Sequence, residues 1–561
     1  MNQYENFRVL VKKVEGINLE DLNVLKKTIS LCPECVLANN IKNMKIPALV
    51  FERNNKVWIL KECPKHGVVK EVYWGDYEMY KRASKYADPG IKLENPEVKN
   101  PVDEVNCPDD CGLCFRHKSH TNLGNIVVTN RCDLSCWYCF FFAKEGEAIY
   151  EPNIEQIRMM LRRMKNQRPV PCNAVQLTGG EPALREDIIE IIKIAKEEGF
   201  EHIQFNTDGI EFSKNLQLVK KVREAGSTYG SIVTYLSFDG VTPETNPKNY
   251  WEMPDILENC RKAGLNIVFV PTVVGGVNDH ELGKIVKFAS GNIDIVRGVN
   301  FQPVSLVGRM THKQREKQRI TIPDVCRKLE EQTKGEISME DFFTVPSIGS
   351  ITNFVEAFKG KQQYRLSSHF SCGVGTYVFK ERDKLIPITR FVDVEGLFDY
   401  LNELAEKIKN SRFKKTRKTI SSLRLLWNIK KFVDEKKKPK GLSIAKLLSK
   451  AFKEGSFEDI AQFHKNALFI GMMHFMDPWN YDVDRVEKCC IHYAIPDGRI
   501  IPFCAFNVIP QVFRDKTQKE FSIPAKEWEL KHGRKLKDDE YRRELNEEKK
   551  KKVREFYDKF I

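Results

Sequence analysis

From about Gly124 to Val304 two hydrophobic patterns alternate along the chain. Short runs rich in β-branched and aromatic residues occupy 125–129, 173–177, 202–206, 232–238, 266–272 and 298–303. Between them apolar residues recur at helical spacing, as in Ile188, Ile191, Ile192 and Ala195, or Leu216, Val219 and Val222. Strands that alternate with amphipathic helices predict βα units and a parallel sheet. The expected fold class is α/β, with a partial (β/α)6 TIM-like barrel over 121–330.

In such barrels the C-terminal strand ends and the loops after them carry the chemistry. All six runs lead into polar or glycine-rich rims. The first continues into Asn130, Arg131 and Cys132, and the second into Thr178, Gly179, Gly180, Glu181 and Pro182. The third enters Asn206, Thr207, Asp208 and Gly209, and the fourth Ser237, Phe238, Asp239 and Gly240. The fifth ends at Pro271 and Thr272, the sixth at Gln302, Pro303, Val304 and Ser305. Rims of this kind on successive strands describe one shared pocket.

Ahead of the barrel, 1–120 is expected to hold a small rubredoxin-like or zinc-ribbon-like metal domain. Two strand-like runs, 48–52 and 56–61, flank Asn54 and Asn55, a hairpin signal. The hairpin separates Cys32 and Cys35 from Cys63 and His66, the layout of paired metal knuckles. Cys32 and Cys35 share a metal, and their partners are either Cys63 with His66 or Cys111 with Cys114. Cys107, Cys111 and Cys114 form a further set, followed by His117 and His120. Behind the barrel, 331–515 is expected to be an α+β domain with an auxiliary [4Fe-4S] cluster on Cys372, Cys489, Cys490 and Cys504. The last stretch, 516–561, mixes both charge signs at helical spacing and reads as exposed helices without chemistry of their own.

The sixteen cysteines matter because of the compartment expected. No long apolar run and no secretory leader pattern is evident, so the protein is expected to be cytoplasmic, where clustered thiols serve metals rather than disulfides. Cys172, Cys260 and Cys326 stand alone and read as core residues. Net charge is +14, and 407–440 alone contributes +12, with fourteen Lys or Arg against Asp434 and Glu435. One local basic patch is implied, and no general nucleic-acid surface.

Cys132, Cys136 and Cys139 place three thiolates on one loop, whereas a [4Fe-4S] cube has four irons to ligate, so one iron is left open. A zinc knuckle would need a fourth protein ligand. The loop, together with the glycine-glycine-glutamate segment one strand later, resembles the radical S-adenosylmethionine (SAM) superfamily. That resemblance implies that the open iron binds the amino and carboxylate groups of SAM, and that Tyr138 packs near the adenine. It implies that Gly179, Gly180, Glu181 and Pro182 receive the methionine amino group. Asn206, Thr207, Ser237 and Asp239 fall where ribose and carboxylate contacts are expected, with Thr272 and Gln302 on the same rim.

The knuckles at Cys32, Cys63 and Cys111, the runs 236–240, 270–273 and 299–305, and the late cysteines resemble the archaeal tetraether lipid synthase family over about 30–510. The resemblance implies three [4Fe-4S] clusters, one mononuclear iron (or zinc), and C–C coupling of two isoprenoid chains of a diether phospholipid. An auxiliary cluster would hold the first alkyl intermediate, and a low-potential donor such as a ferredoxin would supply electrons. On this reading 342–355 and 467–475 line an apolar tunnel, and the basic stretch lies peripherally on the inner face of the cell membrane. The alternative is a radical SAM methylase acting on a small soluble substrate such as a pterin.

Overall fold

The computed structural model describes residues 22–97, 107–139, 148–228, 230–307, 312–440, 442 and 467–561 of the 561-residue chain. The first of these form an antiparallel four-stranded sheet in chain order: β1 (Asn23–Leu31), β2 (Lys45–Arg53), β3 (Lys56–Cys63) and β4 (Gly67–Trp74). Asn54 and Asn55 both take left-handed φ, 55° and 56°, as a two-residue hairpin turn between right-twisted strands requires. Alternation gives this sheet two faces. Ala48, Val50, Val57 and Ile59 join the main core of the molecule, while Leu49, Phe51 and Leu60 form a separate small cluster.

Six parallel strands follow in sequence order: β5 (Leu123–Thr129), β6 (Ala174–Gly179), β7 (His202–Thr207), β8 (Ile232–Ser237), β9 (Ile267–Val270) and β10 (Val296–Pro303). They coincide with the six runs read from the hydrophobic pattern. The helices between them, such as Ile188–Glu197 and Leu216–Ala225, bury the apolar stripe that the spacing marks out. Cys172, Cys260 and Cys326 are fully buried.

Beyond 331 the chain adds strands to this sheet at both edges. Beside β10 lies β12 (Ala467–Met473), parallel to it, and then β11 (Gly373–Glu381), antiparallel to β12. On the other edge β13 (Ile491–Ala494) pairs in parallel with β5, and β14 (Ile500–Pro502) turns back along β13. Cys489, Cys490 and Cys504 are thereby carried to the strand that begins the parallel series, while Cys372 directly precedes β11 on the opposite edge.

The basic stretch forms the helices Val394–Lys409 and Lys414–Asn428. Leu425 and Ile429 pack into a cluster with Leu401 and Leu404, so part of its apolar content is spent on the protein itself. Among the described residues no helix is long and apolar enough to cross a membrane.

The terminal segment forms helices and also packs against remote parts of the chain. Trp528 is buried and its ring lies 4.4 Å from the Arg131 guanidinium, while Asp539 pairs with Arg131 at 2.6 Å. Tyr541 donates its backbone N–H to the Asp133 carbonyl at 3.1 Å. Farther on, Tyr557 stacks on Tyr250 with ring centroids 4.4 Å apart. Tethers of this length between remote parts of a chain are invisible to local periodicity.

Candidate active site

Side chains alternate across each parallel strand. One face of β5 to β10 carries Ile126, Leu177, Phe205, Leu236 and Phe301, all buried in the main core. The other face carries Asn125, Gln176, Gln204, Tyr235 and Asn300, which line a cavity of about 310 Å³. The rims read from the sequence meet at this cavity. Cys132, Cys136, Tyr138, Cys139, Gly179, Gly180, Glu181, Asn206, Thr207, Ser237, Thr272 and Gln302 all line it. Pro182 and Asp239 do not; Pro182 opens a buried short helical turn, and Asp239 holds lining residues from behind. A third side is aromatic, with Phe475 and Phe503 stacked at 4.0 Å. None of 342–355 reaches the cavity, so the expected tunnel is not built from that segment.

The cysteine loop and the glycine-rich turn are zipped together. Gly180 donates its N–H to Thr129 at 2.8 Å, and Glu181 donates to the Arg131 carbonyl at 2.7 Å. A Cβ on Gly179 would collide with the Thr129 carbonyl oxygen, and one on Gly180 with that of Arg131. Gly179 also has φ +136°, so only glycine fits both the space and the backbone.

Glu181 is buried and its carboxylate accepts the N–H of Asp208 at 2.8 Å and of Ala183 at 2.9 Å. Burial pushes the carboxyl pKa values of Glu181, Asp208 and Asp133 upward, and each is raised further by a neighbouring carboxyl. Cys132 lies within 4.8 Å of Asp133 and Asp208 by their ligand atoms, and burial pushes its thiol up as well. Burial and mutual repulsion hold these carboxyls toward their protonated forms, a strain that a cationic ligand relieves.

Across the cavity Tyr138 donates its hydroxyl to Asp239, and Lys248 pairs with the same carboxylate at 2.8 Å. Asp239 also accepts the Thr272 N–H at 2.9 Å. Burial works against the Lys248 charge, yet Asp239, Tyr138 and Cys136 hold its pKa well above the ordinary lysine value. Lys248 and Asp208 are lining residues that the sequence reading did not single out. Asp208 stands in a strand-end rim, which is a signal; a lysine in the loop after β8 looks like any surface lysine.

Among the described residues the trio Cys132, Cys136 and Cys139 does not draw within 4.8 Å as a set, whereas Cys32, Cys35, Cys63 and His66 do. Around the latter, Cys35 and Cys63 sulfurs are 3.9 Å apart, and His66 Nδ1 lies 3.3 to 3.5 Å from all three thiols. A tetrahedral ion with metal–sulfur bonds of about 2.3 Å spaces its ligands about 3.8 Å apart. The four fit one ion, and this geometry favours Cys63 with His66 over Cys111 with Cys114 as the partners of Cys32 and Cys35. Burial raises the Cys63 thiol, but the N–H groups of Lys65 and His66 outweigh it and bring its pKa to about 7.

The remaining seven clustered cysteines converge. Burial first, then Cys372 nearby, push the Cys489 thiol up to about 11, against backbone N–H groups that include that of Cys504. Cys111 is pushed up to about 12 by burial, with Cys114 and Cys489 among its neighbours. Cys107, Cys111, Cys139, Cys489, Cys490 and Cys504 share one hydrophobic cluster with the aromatic wall of the cavity.

The Radical SAM superfamily pattern matches residues 126–289, and the HMPTM N-terminal zinc ribbon domain matches 24–75. The 7,8-dihydro-6-hydroxymethylpterin dimethyltransferase of Methanocaldococcus jannaschii is 44% identical over 517 residues, covering 90% of this chain and 97% of that protein. The GTP 3',8-cyclase of Clostridium acetobutylicum is 27% identical over 312 residues, 54% of this chain and 92% of the cyclase. A radical SAM methyltransferase from Sphaerobacter thermophilus overlays with a TM-score of only 0.24 at 12% identity, covering 55% of this chain and 74% of that one. The full-length match overturns the expectation of a tetraether lipid synthase, and with it the diether phospholipid partner and the seat on a membrane. The amide-lined cavity gives the physical reason: buried carboxamides are poor company for an alkyl chain.

Proposed function

This chain belongs to the family of the 7,8-dihydro-6-hydroxymethylpterin dimethyltransferase of M. jannaschii, and from that we infer that it is a radical SAM methyltransferase acting on a pterin. The observation that carries the reading is the extent of the match, 44% identity over 90% of this chain and 97% of that protein. A cavity with polar side chains on its strands and aromatic rings on one wall supports it, since a pterin is flat and rich in hydrogen-bonding groups.

We read β5 to β10 as the partial barrel typical of such enzymes. Cys132, Cys136 and Cys139 would hold a [4Fe-4S] cluster; their spacing is too wide for a single ion, and three thiols leave one iron for SAM. Bound there, the cluster supplies the electron that breaks a sulfonium C–S bond of SAM. The protein's own part is to place the cosubstrate. The acidic group of Glu181, Asp208 and Asp133 offers a counter-charge to a cationic methionine end, and the glycine turn lets backbone approach it closely. Tyr138, held by Asp239 and Lys248, keeps a fixed wall beside the loop.

One mononuclear iron or zinc is assigned to Cys32, Cys35, Cys63 and His66. Cys107, Cys111, Cys114, Cys372, Cys489, Cys490 and Cys504 are assigned to further iron–sulfur clusters near the aromatic wall. The test is anaerobic reconstitution with iron and sulfide, then incubation with SAM, a strong reductant and 7,8-dihydro-6-hydroxymethylpterin. Methylated pterin accompanied by 5′-deoxyadenosine is the expected result. Formation of 5′-deoxyadenosine with the pterin returned unchanged would sink the reading.

A further inference from the structure

Barrels of parallel strands are ordinarily filled by branched apolar side chains. Here the inward face of three neighbouring strands carries carboxamides in one register row: Asn125 on β5 is opposite Gln176 on β6, which is opposite Gln204 on β7. All three line the cavity. Asn125 is 0% exposed and Gln204 8%.

Two members of the row, Asn125 and Gln204, are half satisfied, and on the same side. Asn125 Nδ2 donates to the His492 carbonyl at 3.4 Å, which fixes the orientation of that amide, and Gln204 Nε2 donates to the Tyr235 hydroxyl at 3.0 Å. The carbonyl oxygens Asn125 Oδ1 and Gln204 Oε1 are buried and have no hydrogen-bond partner among the described residues. Buried acceptors left open in this way call for N–H donors from a ligand. Next to the row Tyr493 stands in register with Asn125 and 5.2 Å from Phe503, which stacks on Phe475, and all three rings line the same cavity. The space thus combines acceptors with aromatic faces.

We propose that Asn125, Gln176 and Gln204 are the specificity row that reads the amino-pyrimidinone edge of the substrate, whose exocyclic amine and ring N–H are adjacent donors. The proposal rests on the pterin reading and names the residues that make the site selective. It assigns the row to substrate and the rims above it to SAM.

The test uses the full-length, reconstituted protein with SAM present. Equilibrium binding is measured for 7,8-dihydro-6-hydroxymethylpterin and for the analogue in which an oxo group replaces the exocyclic amine. Wild type is expected to prefer the pterin by about tenfold or more, the weight of one such hydrogen bond. Gln204→Leu and Asn125→Leu are expected to weaken pterin binding about tenfold each and erase the preference, with SAM affinity unchanged. Gln204→Glu, which retains an acceptor, keeps the preference. Equal binding of the two heterocycles by wild type overturns the proposal without any variant, as does no binding at all. So does a fall in SAM affinity in the Leu variants that matches their fall in pterin affinity. Selective binding without methylated product removes the methyltransferase reading and leaves the row in place.

Discussion

Gly180 sits so close to Arg131 that a single added methyl group would strike the arginine's carbonyl oxygen. That contact locks the glycine-glutamate turn to the loop that begins at Cys132. Gly180→Ala must therefore displace one from the other, and misplacement by about 1 Å costs on the order of a hundredfold in rate. SAM titration and 5′-deoxyadenosine yield should both fall, while iron content stays near wild type.

Removing a ligand from the ribbon site separates its metal from the catalytic one. Cys63→Ser is expected to lose one metal equivalent by elemental analysis and to lower the melting temperature, leaving the [4Fe-4S] absorbance of the cysteine loop. His66→Cys should retain that equivalent, because His66 is the exposed member of a set whose thiols are buried.

Lys248→Met leaves Asp239 buried without its cation, a loss of about 3 kcal/mol for a pair so thoroughly withdrawn from water. Chemical denaturation should report the change. A weakened SAM titration should accompany it, since Tyr138 loses the carboxylate geometry that holds its hydroxyl.

Asp539→Asn tests the terminal segment. Arg131 and Asp539 are both buried, so the substitution costs about 3 kcal/mol and loosens the cysteine loop. Reduced 5′-deoxyadenosine formation at unchanged SAM concentration is the functional readout.

Glu97, outside the cavity, provides a pH test. Burial raises its pKa from 4.5 to about 7, against the Ile500 N–H that its carboxylate accepts. A carboxyl raised in the folded state binds its proton more tightly there than when unfolded. Its contribution is complete below the unfolded value and is lost as pH rises from about 4.5 through about 7, at most about 3 kcal/mol. Denaturation midpoints of Glu97→Gln and wild type should converge at low pH and separate in favour of the variant above pH 7.

The sequence alone located the six parallel strands, the hairpin of the ribbon and most of the cavity rim, because each is written in local periodicity or in a short motif. Cys32, Cys35, Cys63 and His66 were visible as knuckles, but only their separations bring the four together as one set. Lys248 escaped notice since nothing local distinguishes a buried lysine from an exposed one. The same holds for Asn125, Gln176 and Gln204: each looks like an ordinary strand residue until register aligns them. Substrate was misread because several families share the same metal motifs, and motif order does not encode what fills the space between strands.

The hold of Trp528 and Asp539 on Arg131 has a bearing on how the enzyme matures. Arg131 leaves the ribosome well before Asp539, 408 residues farther along the chain. The cysteine loop is therefore braced only once Trp528 and Asp539 have been made and have packed against Arg131, so whatever it holds gains its final surroundings late.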